Sequence, residues 1–194
     1  IIYKKISKLN KLKTTFDTNL IKSNLKQFYY NTIYHNTLLI NDIAEILSEL
    51  QENKIDFIVL KGFPLLTDFY GDFSIRSLQD IDIFVHENDL KKINQLLEKN
   101  KFSELKNAPR HNHHSLNSSY YRKTSGEKFF DLHVHWNIVN AAYPLYYSKK
   151  VNIDRFWENT QKFNFNKNEF LKLNNKYFFI HLAEHAFKHN YKSL

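Results

Sequence analysis

Asp80-Ile81-Asp82 sets two carboxylates two residues apart within the apolar run Leu78-Gln79-Asp80-Ile81-Asp82-Ile83-Phe84-Val85. In a β-strand, residues i and i+2 share a face. Both acids therefore emerge side by side, and Ile81 and Ile83 point the other way. Two like charges at that spacing repel, and at least one pKa rises unless a cation neutralises them. Paired hard oxygen ligands suit Mg²⁺, which binds through one or two carboxylates together with substrate phosphates. The spacing points to metal-assisted phosphate chemistry; the competing reading is an Asp facing solvent at a strand end.

The flanking sequence supplies partners. Residues 128–136 alternate, with Phe130, Leu132, Val134 and Trp136 on one face and Asp131, His133 and His135 on the other. Asp80, Asp82 and Asp131 would form a three-carboxylate layout. Such a layout can hold two metals roughly 4 Å apart and stabilise both the attacking and leaving oxygens of a phosphoryl transfer. Upstream, residues 55–60 form a β-rich run that passes directly into Lys61-Gly62-Phe63-Pro64. Pro64 suits a first helical turn, and a strand, a glycine turn and a helix in succession present backbone N–H groups to an anion. Lys61 and Arg76 offer charge to phosphate. Arg76 could equally pair with Asp80 or Asp82 as a structural ion pair.

The histidines allow a second chemistry. His111, His113 and His114 fall in a polar loop, and His133-Val134-His135 puts two rings on one strand face, a pattern compatible with Zn²⁺. The favoured reading is that His133 or His135 borders a nucleotide pocket. His181, His185 and His189 recur at helical spacing and read as packed or capping residues. Phe28, Tyr29, Tyr30 and Tyr34 read as core, as do Trp136 and Trp157.

These residues need elements to position them. Leu38, Leu39, Ile43, Ile46, Leu47 and Leu50 follow a 3.6-residue period and predict a helix, with Asn36 or Asn41 as a local cap. Residues 55–60 predict an internal strand. Helices are expected at 65–70, 87–100 and 176–191, with shorter pieces at 141–147 and 155–158. Strands are expected at 80–85 and 102–105, with a hairpin of 118–123 and 128–136. Residues 163–173 are ambiguous. The layout is an α+β fold, divided as a helical segment 1–52, a core 53–148 and a C-terminal helical segment 149–194.

Composition bounds the function. Hydrophobic residues make up 42% of the 194, enough for a folded core. Cys is absent, which excludes a disulfide framework and a Cys-based zinc site. No apolar run reaches 18 residues and no secretory core is seen, so a cytoplasmic protein without a membrane partner is expected. The net charge of +8 permits a polyanionic partner, although the lysines are spread along the chain. The chain has no Met and stops within a predicted helix, as part of a longer reading frame would.

Taken together, Leu60-Lys61-Gly62, Arg76-Ser77 before Asp80-Ile81-Asp82, Asp131 to Trp136, and His185 to His189 resemble the uncharacterised bacterial nucleotidyltransferase family of the DNA polymerase β superfamily. The resemblance implies a nucleotidyltransferase (polymerase β-like) fold with a short mixed sheet, flanking helices and helical extensions. It implies an enzyme that moves an NMP from an NTP such as ATP to an acceptor and releases pyrophosphate, with Mg²⁺ or Mn²⁺ as cofactor. It further implies Asp80 and Asp82 as metal ligands, Asp131 as the third carboxylate, and Lys61, Gly62, Arg76 and His133 at the nucleotide. Alignment on the His-Trp pair puts His133 in the place of that third acid. The acceptor, whether protein, RNA or small molecule, stays open. The alternatives are a His/Asp metal-binding phosphoesterase and a catalytically silent nucleotide-binding module.

Overall fold

The computed structural model describes residues 18–105, 117–126, 128–138, 151–165 and 167–188. Residues 1–17 of the expected N-terminal helical segment, the short helical piece expected at 141–147, the loop histidines His111, His113 and His114, and His189 lie outside the described residues.

Helix α1 (Thr18–Glu52) packs through its C-terminal half, where Leu39, Ile40, Ile43, Ile46, Leu47 and Leu50 are buried. Its earlier half is different. Phe28, Tyr30 and Tyr34 are exposed, contrary to the expectation that this aromatic stripe is core. The α1 residues of the core cluster begin at Leu39, with Leu38 packed at its margin, so the stripe lies on turns that contribute nothing to it. Asn36 is not a cap either. Buried in mid-helix, it donates from Nδ2 to the carbonyls of Phe73 and Arg76, both at 2.7 Å, and accepts from the Leu78 amide at 2.8 Å. His35 donates to the Leu78 carbonyl at 2.8 Å. Together they pin the segment that leads into Asp80.

Strand β1 (Phe57–Leu60) is buried throughout and gives way to a short helical turn, α2 (Gly62–Pro64), which widens into a π-type turn over Leu65–Tyr70. Gly71 ends that turn in the left-handed conformation. Strand β2 (Ile81–Val85) follows, then α3 (Leu90–Lys99), β3 (Phe102–Glu104), and the hairpin β4 (Ser118–Ser125) and β5 (Lys128–His135). The chain closes with α4 (Asp154–Glu158), β6 (Thr160–Phe165), β7 (Asn168–Leu173) and α5 (Asn175–Lys188).

The strands form one seven-stranded sheet in the order β3-β4-β5-β2-β1-β7-β6. It is mixed: β2–β5 and β1–β7 are parallel and the other pairings antiparallel. The ambiguous stretch 163–173 thus contributes a hairpin to the sheet, and residues 149–194 are not wholly helical. Phe163 and Phe170 drive this by packing towards Phe63 and Phe57, at ring separations of 5.3 and 5.9 Å. Alternation with Asn, Lys and Glu hid that pattern.

The two faces of the sheet are chemically distinct. Ile81, Ile83 and Val85 join α1 and α3 residues in the larger core. Ile58, Leu60 and Phe84 join Phe156 and Phe178 in a smaller core beneath α4 and α5. Asp82 shares the second face by strand alternation. Trp136 and Trp157 are half-buried at the margins of these cores. Among the described residues no helix is long and apolar enough to cross a membrane.

Candidate active site

Register brings the polar residues together. In the antiparallel β1–β2 pair, Leu60 faces Asp82, so Lys61 leaves the sheet beside that carboxylate. In the parallel β2–β5 pair, Ile81 faces Leu132, Asp82 faces His133 and Phe84 faces His135. Asp131, His133 and His135 then share the face of Asp80 and Asp82, as alternation predicts.

Asp82 is the hub. Its Oδ1 accepts from Lys61 Nζ at 2.6 Å and lies 3.0 Å from His133 Nδ1 and 2.8 Å from His135 Nε2. Tyr120 stacks on His133 with ring centroids 3.5 Å apart. Burial works to raise Asp82, but Lys61, His133 and His135 outweigh it and hold the carboxyl well below its usual range. Half-buried Asp80 goes the other way. Burial, then the charges of Asp82 and Asp131, push it up to about 7, against the opposing pull of Lys61 and Arg76. The two acids two residues apart are therefore held in opposite protonation tendencies. Burial, reinforced by His133 and Lys61, also keeps His135 well below the ordinary imidazole range, so its ring is neutral.

The turn that delivers Lys61 is strained. Lys61 adopts φ 49° and ψ −116°, backbone space suited to glycine. Gly62, expected to admit a phosphate, has a second reason to be glycine: a Cβ there would meet Leu78 Cδ2 at 2.8 Å. The Lys61-Gly62 turn and the segment entering Asp80 pack on each other at that point.

Asp131 is committed to Arg122, which grips it with Nε and Nη2 at 2.7 and 2.6 Å. Arg76 is exposed, and its charge acts on Asp80 to lower its pKa. Sequence reasoning passed over Arg122 and Tyr120, whose proximity depends on β4–β5 register. It also assigned His181 to packing. His181 is buried on α5, feels the charges of Lys61, His135 and Asp82, and is kept neutral chiefly by burial. The helical His spacing flagged this residue, but spacing alone does not say what a helix faces.

Asp82, His133 and His135 each offer one ligand atom, and these atoms lie within 4.8 Å of one another. Asp80 and Asp82 supply oxygen on the same face, and a pair of acids that elevates one partner's pKa is a donor set that a divalent cation relieves. The residues present thus fit a metal-dependent phosphoryl site.

Two solved structures share the fold. The lincosamide antibiotic adenylyltransferase LnuA, crystallised with lincomycin, aligns over 79% of this chain and 96% of its own, with 15% identity and a TM-score of 0.50. A putative nucleotidyltransferase from Thermotoga maritima aligns over 78% and 86%, with 10% identity and a TM-score of 0.52. No curated protein matches the sequence. The polymerase β-like fold is therefore the architecture that carries the Asp82 cluster. The chain is a nucleotidyltransferase by family: residues 2–194 match the family described as uncharacterised nucleotidyltransferase, and the protein belongs to it.

Proposed function

We propose that the protein transfers a nucleoside monophosphate from an NTP to an acceptor and releases pyrophosphate, with Mg²⁺ or Mn²⁺ as cofactor. The supporting observation is the carboxylate pair of Asp80 and Asp82, set on one sheet face beside the strand–turn–helix that delivers Lys61. An acceptor oxygen forms a bond to the α-phosphorus, the bond to the bridging oxygen breaks, and pyrophosphate carries away the electron pair. The acceptor proton passes to a carboxylate, for which Asp131 is the candidate.

Bound Mg²⁺ or Mn²⁺ supplies charge neutralisation for the triphosphate at Asp80 and Asp82. Lys61, held on Asp82 Oδ1, is positioned to exchange that carboxylate for a phosphate oxygen. Arg76 adds charge at the rim, Gly62 keeps the turn close to the strand, and His133 fixes Asp82 from the neighbouring strand. Asp131 acts from the oxygen-rich end, with Arg122 setting its orientation. This reading requires a compartment that holds nucleoside triphosphates, which is the cytoplasm.

The test is incubation with each α-labelled NTP, Mg²⁺ or Mn²⁺, and candidate acceptors. LnuA is an antibiotic adenylyltransferase, so small molecules head the panel, ahead of protein and RNA. Label should move to an acceptor with stoichiometric pyrophosphate, and Asp80→Asn and Asp82→Asn should abolish both. Nucleotide binding without pyrophosphate release from any acceptor would instead identify a binding module.

A further inference from the structure

Donor atoms are sorted along this face of the sheet. Asp80, just before β2, and Asp131, midway along β5, supply oxygen, and His133 and His135 supply nitrogen further along β5, with Asp82 between them. Asp82 Oδ1 lies 3.0 Å from His133 Nδ1 and 2.8 Å from His135 Nε2. Mg²⁺ favours all-oxygen surroundings, whereas imidazole selects ions such as Zn²⁺, Ni²⁺, Cu²⁺ and Fe²⁺. A carboxylate and two imidazoles around one point, with a position left open, is a catalytic-zinc type of donor set.

A second observation points the same way. His181 is 2% exposed, and among the described residues neither of its ring nitrogens has a hydrogen-bond partner. Leaving such atoms bare costs about 1–3 kcal/mol each. Lys61, His135 and Asp82 all act on His181 through their charges, so this buried imidazole belongs to the electrostatic surroundings of the nitrogen end of the site.

We propose that Asp82, His133 and His135 bind a divalent transition ion of the zinc class. The proposal deepens the function above, since Asp82 then serves both this ion and the Mg²⁺-bound NTP. Metal–ligand bonds of about 2.0–2.1 Å set tetrahedral donors roughly 3.3 Å apart, so Asp82 Oδ1 needs to part from His133 Nδ1 and His135 Nε2, now at 3.0 and 2.8 Å, by only a few tenths of an ångström. Lys61 must release Asp82 Oδ1, leaving its ammonium for the triphosphate.

The experiment uses untagged protein, stripped with chelator and titrated with Co²⁺ in the absence of nucleotide. A single Co²⁺ per chain should give the intense visible absorption of a low-coordinate nitrogen-ligated site. Zn²⁺ should displace it, and millimolar Mg²⁺ should not. His133→Gln and His135→Gln should each weaken binding by about 100-fold or more, at or beyond the top of the range for a residue behind the ligands. His86→Gln, at an exposed ring stacked on Trp157, should change nothing. Zn²⁺ should raise the urea midpoint of the wild type but not of the His133 or His135 variants, which keeps the comparison valid if those variants are less stable. The proposal is overturned by absence of stoichiometric Co²⁺ or Zn²⁺, by binding that survives loss of both imidazoles, or by displacement with equimolar Mg²⁺. The two readings fail separately. One Zn²⁺ per chain without NTP turnover upholds the ion site alone; turnover with Mg²⁺ in a chain that binds no Zn²⁺ upholds the transferase alone.

Discussion

Lys61 Nζ lies 2.6 Å from Asp82 Oδ1, with the two side chains only 14% and 6% exposed. An ammonium therefore stands where an incoming cation or phosphate would compete for the same oxygen. The backbone that puts it there is one that only glycine adopts freely. The site carries its own counter-charge and holds it in a strained position.

That strain is measurable. Lys61→Ala and Lys61→Gly both remove the charge, but only glycine relaxes the turn. In chelator, urea unfolding should show both variants less stable than wild type, because an uncompensated buried Asp82 is left behind. Lys61→Gly should be the more stable of the two by about 1–2 kcal/mol.

Asp80 makes the metal-free protein sensitive to pH. Its pKa in the folded state is pushed up to about 7 by burial and by the charges of Asp82 and Asp131, from an ordinary value of 3.8. Between those values the folded state holds a proton that the unfolded chain has released, so stability falls as pH rises from about 4 to about 7. The loss is on the order of 1.4 kcal/mol per unit of separation. Asp80→Asn should abolish the slope, leave the protein more stable than wild type at pH 7, and eliminate NTP turnover. Urea midpoints in chelator at half-unit pH steps check this.

Gly62→Ala should cost about 1–3 kcal/mol through overpacking against Leu78. The damage should extend to the Asp80 end of the site, since Leu78 lies two residues before it. Shortening Leu78 to Val makes room, so the double variant Gly62→Ala/Leu78→Val should lose less than the sum of the single losses. A double-mutant cycle in urea, with NTP turnover read in parallel, measures that coupling.

Arg122→Gln separates the stabilising and functional roles of Asp131. The pair is partly solvated, with Arg122 at 35% exposure, so its loss should cost no more than about 1 kcal/mol. Turnover should fall further than stability does, because the carboxylate is no longer held in one orientation. Thermal melts and initial rates on the same preparations decide the point.

What could be read from sequence followed the reach of the periodicity. Strand alternation extends over two residues, so Asp80 with Asp82, and Asp131 with His133 and His135, were visible as faces. The pairing of Asp82 with His133 depends on a parallel register across 51 residues of chain, which no local pattern encodes. Gly62 was legible as a turn, but its contact with Leu78 was not. Phe28 and Tyr34 carried the composition of a core without the sheet beneath them. His181 sat in a recognisable stripe whose direction was set by the packing of α5, and the β6–β7 hairpin concealed its apolar face behind interleaved Asn and Lys.

The parallel pairing of β2 with β5 has a temporal consequence. Synthesis proceeds from the N-terminus, so when Val85 has emerged the chain possesses Lys61, Asp80 and Asp82 but none of the groups that flank Asp82 on its far side. The oxygen-rich half exists first, and the imidazoles arrive only once residue 135 is made and β5 docks with the correct stagger. A slip of one residue would present Leu132 or Val134 to Asp82 instead. Competence to capture an ion through His133 and His135 would therefore report that this long-range pairing has been made correctly.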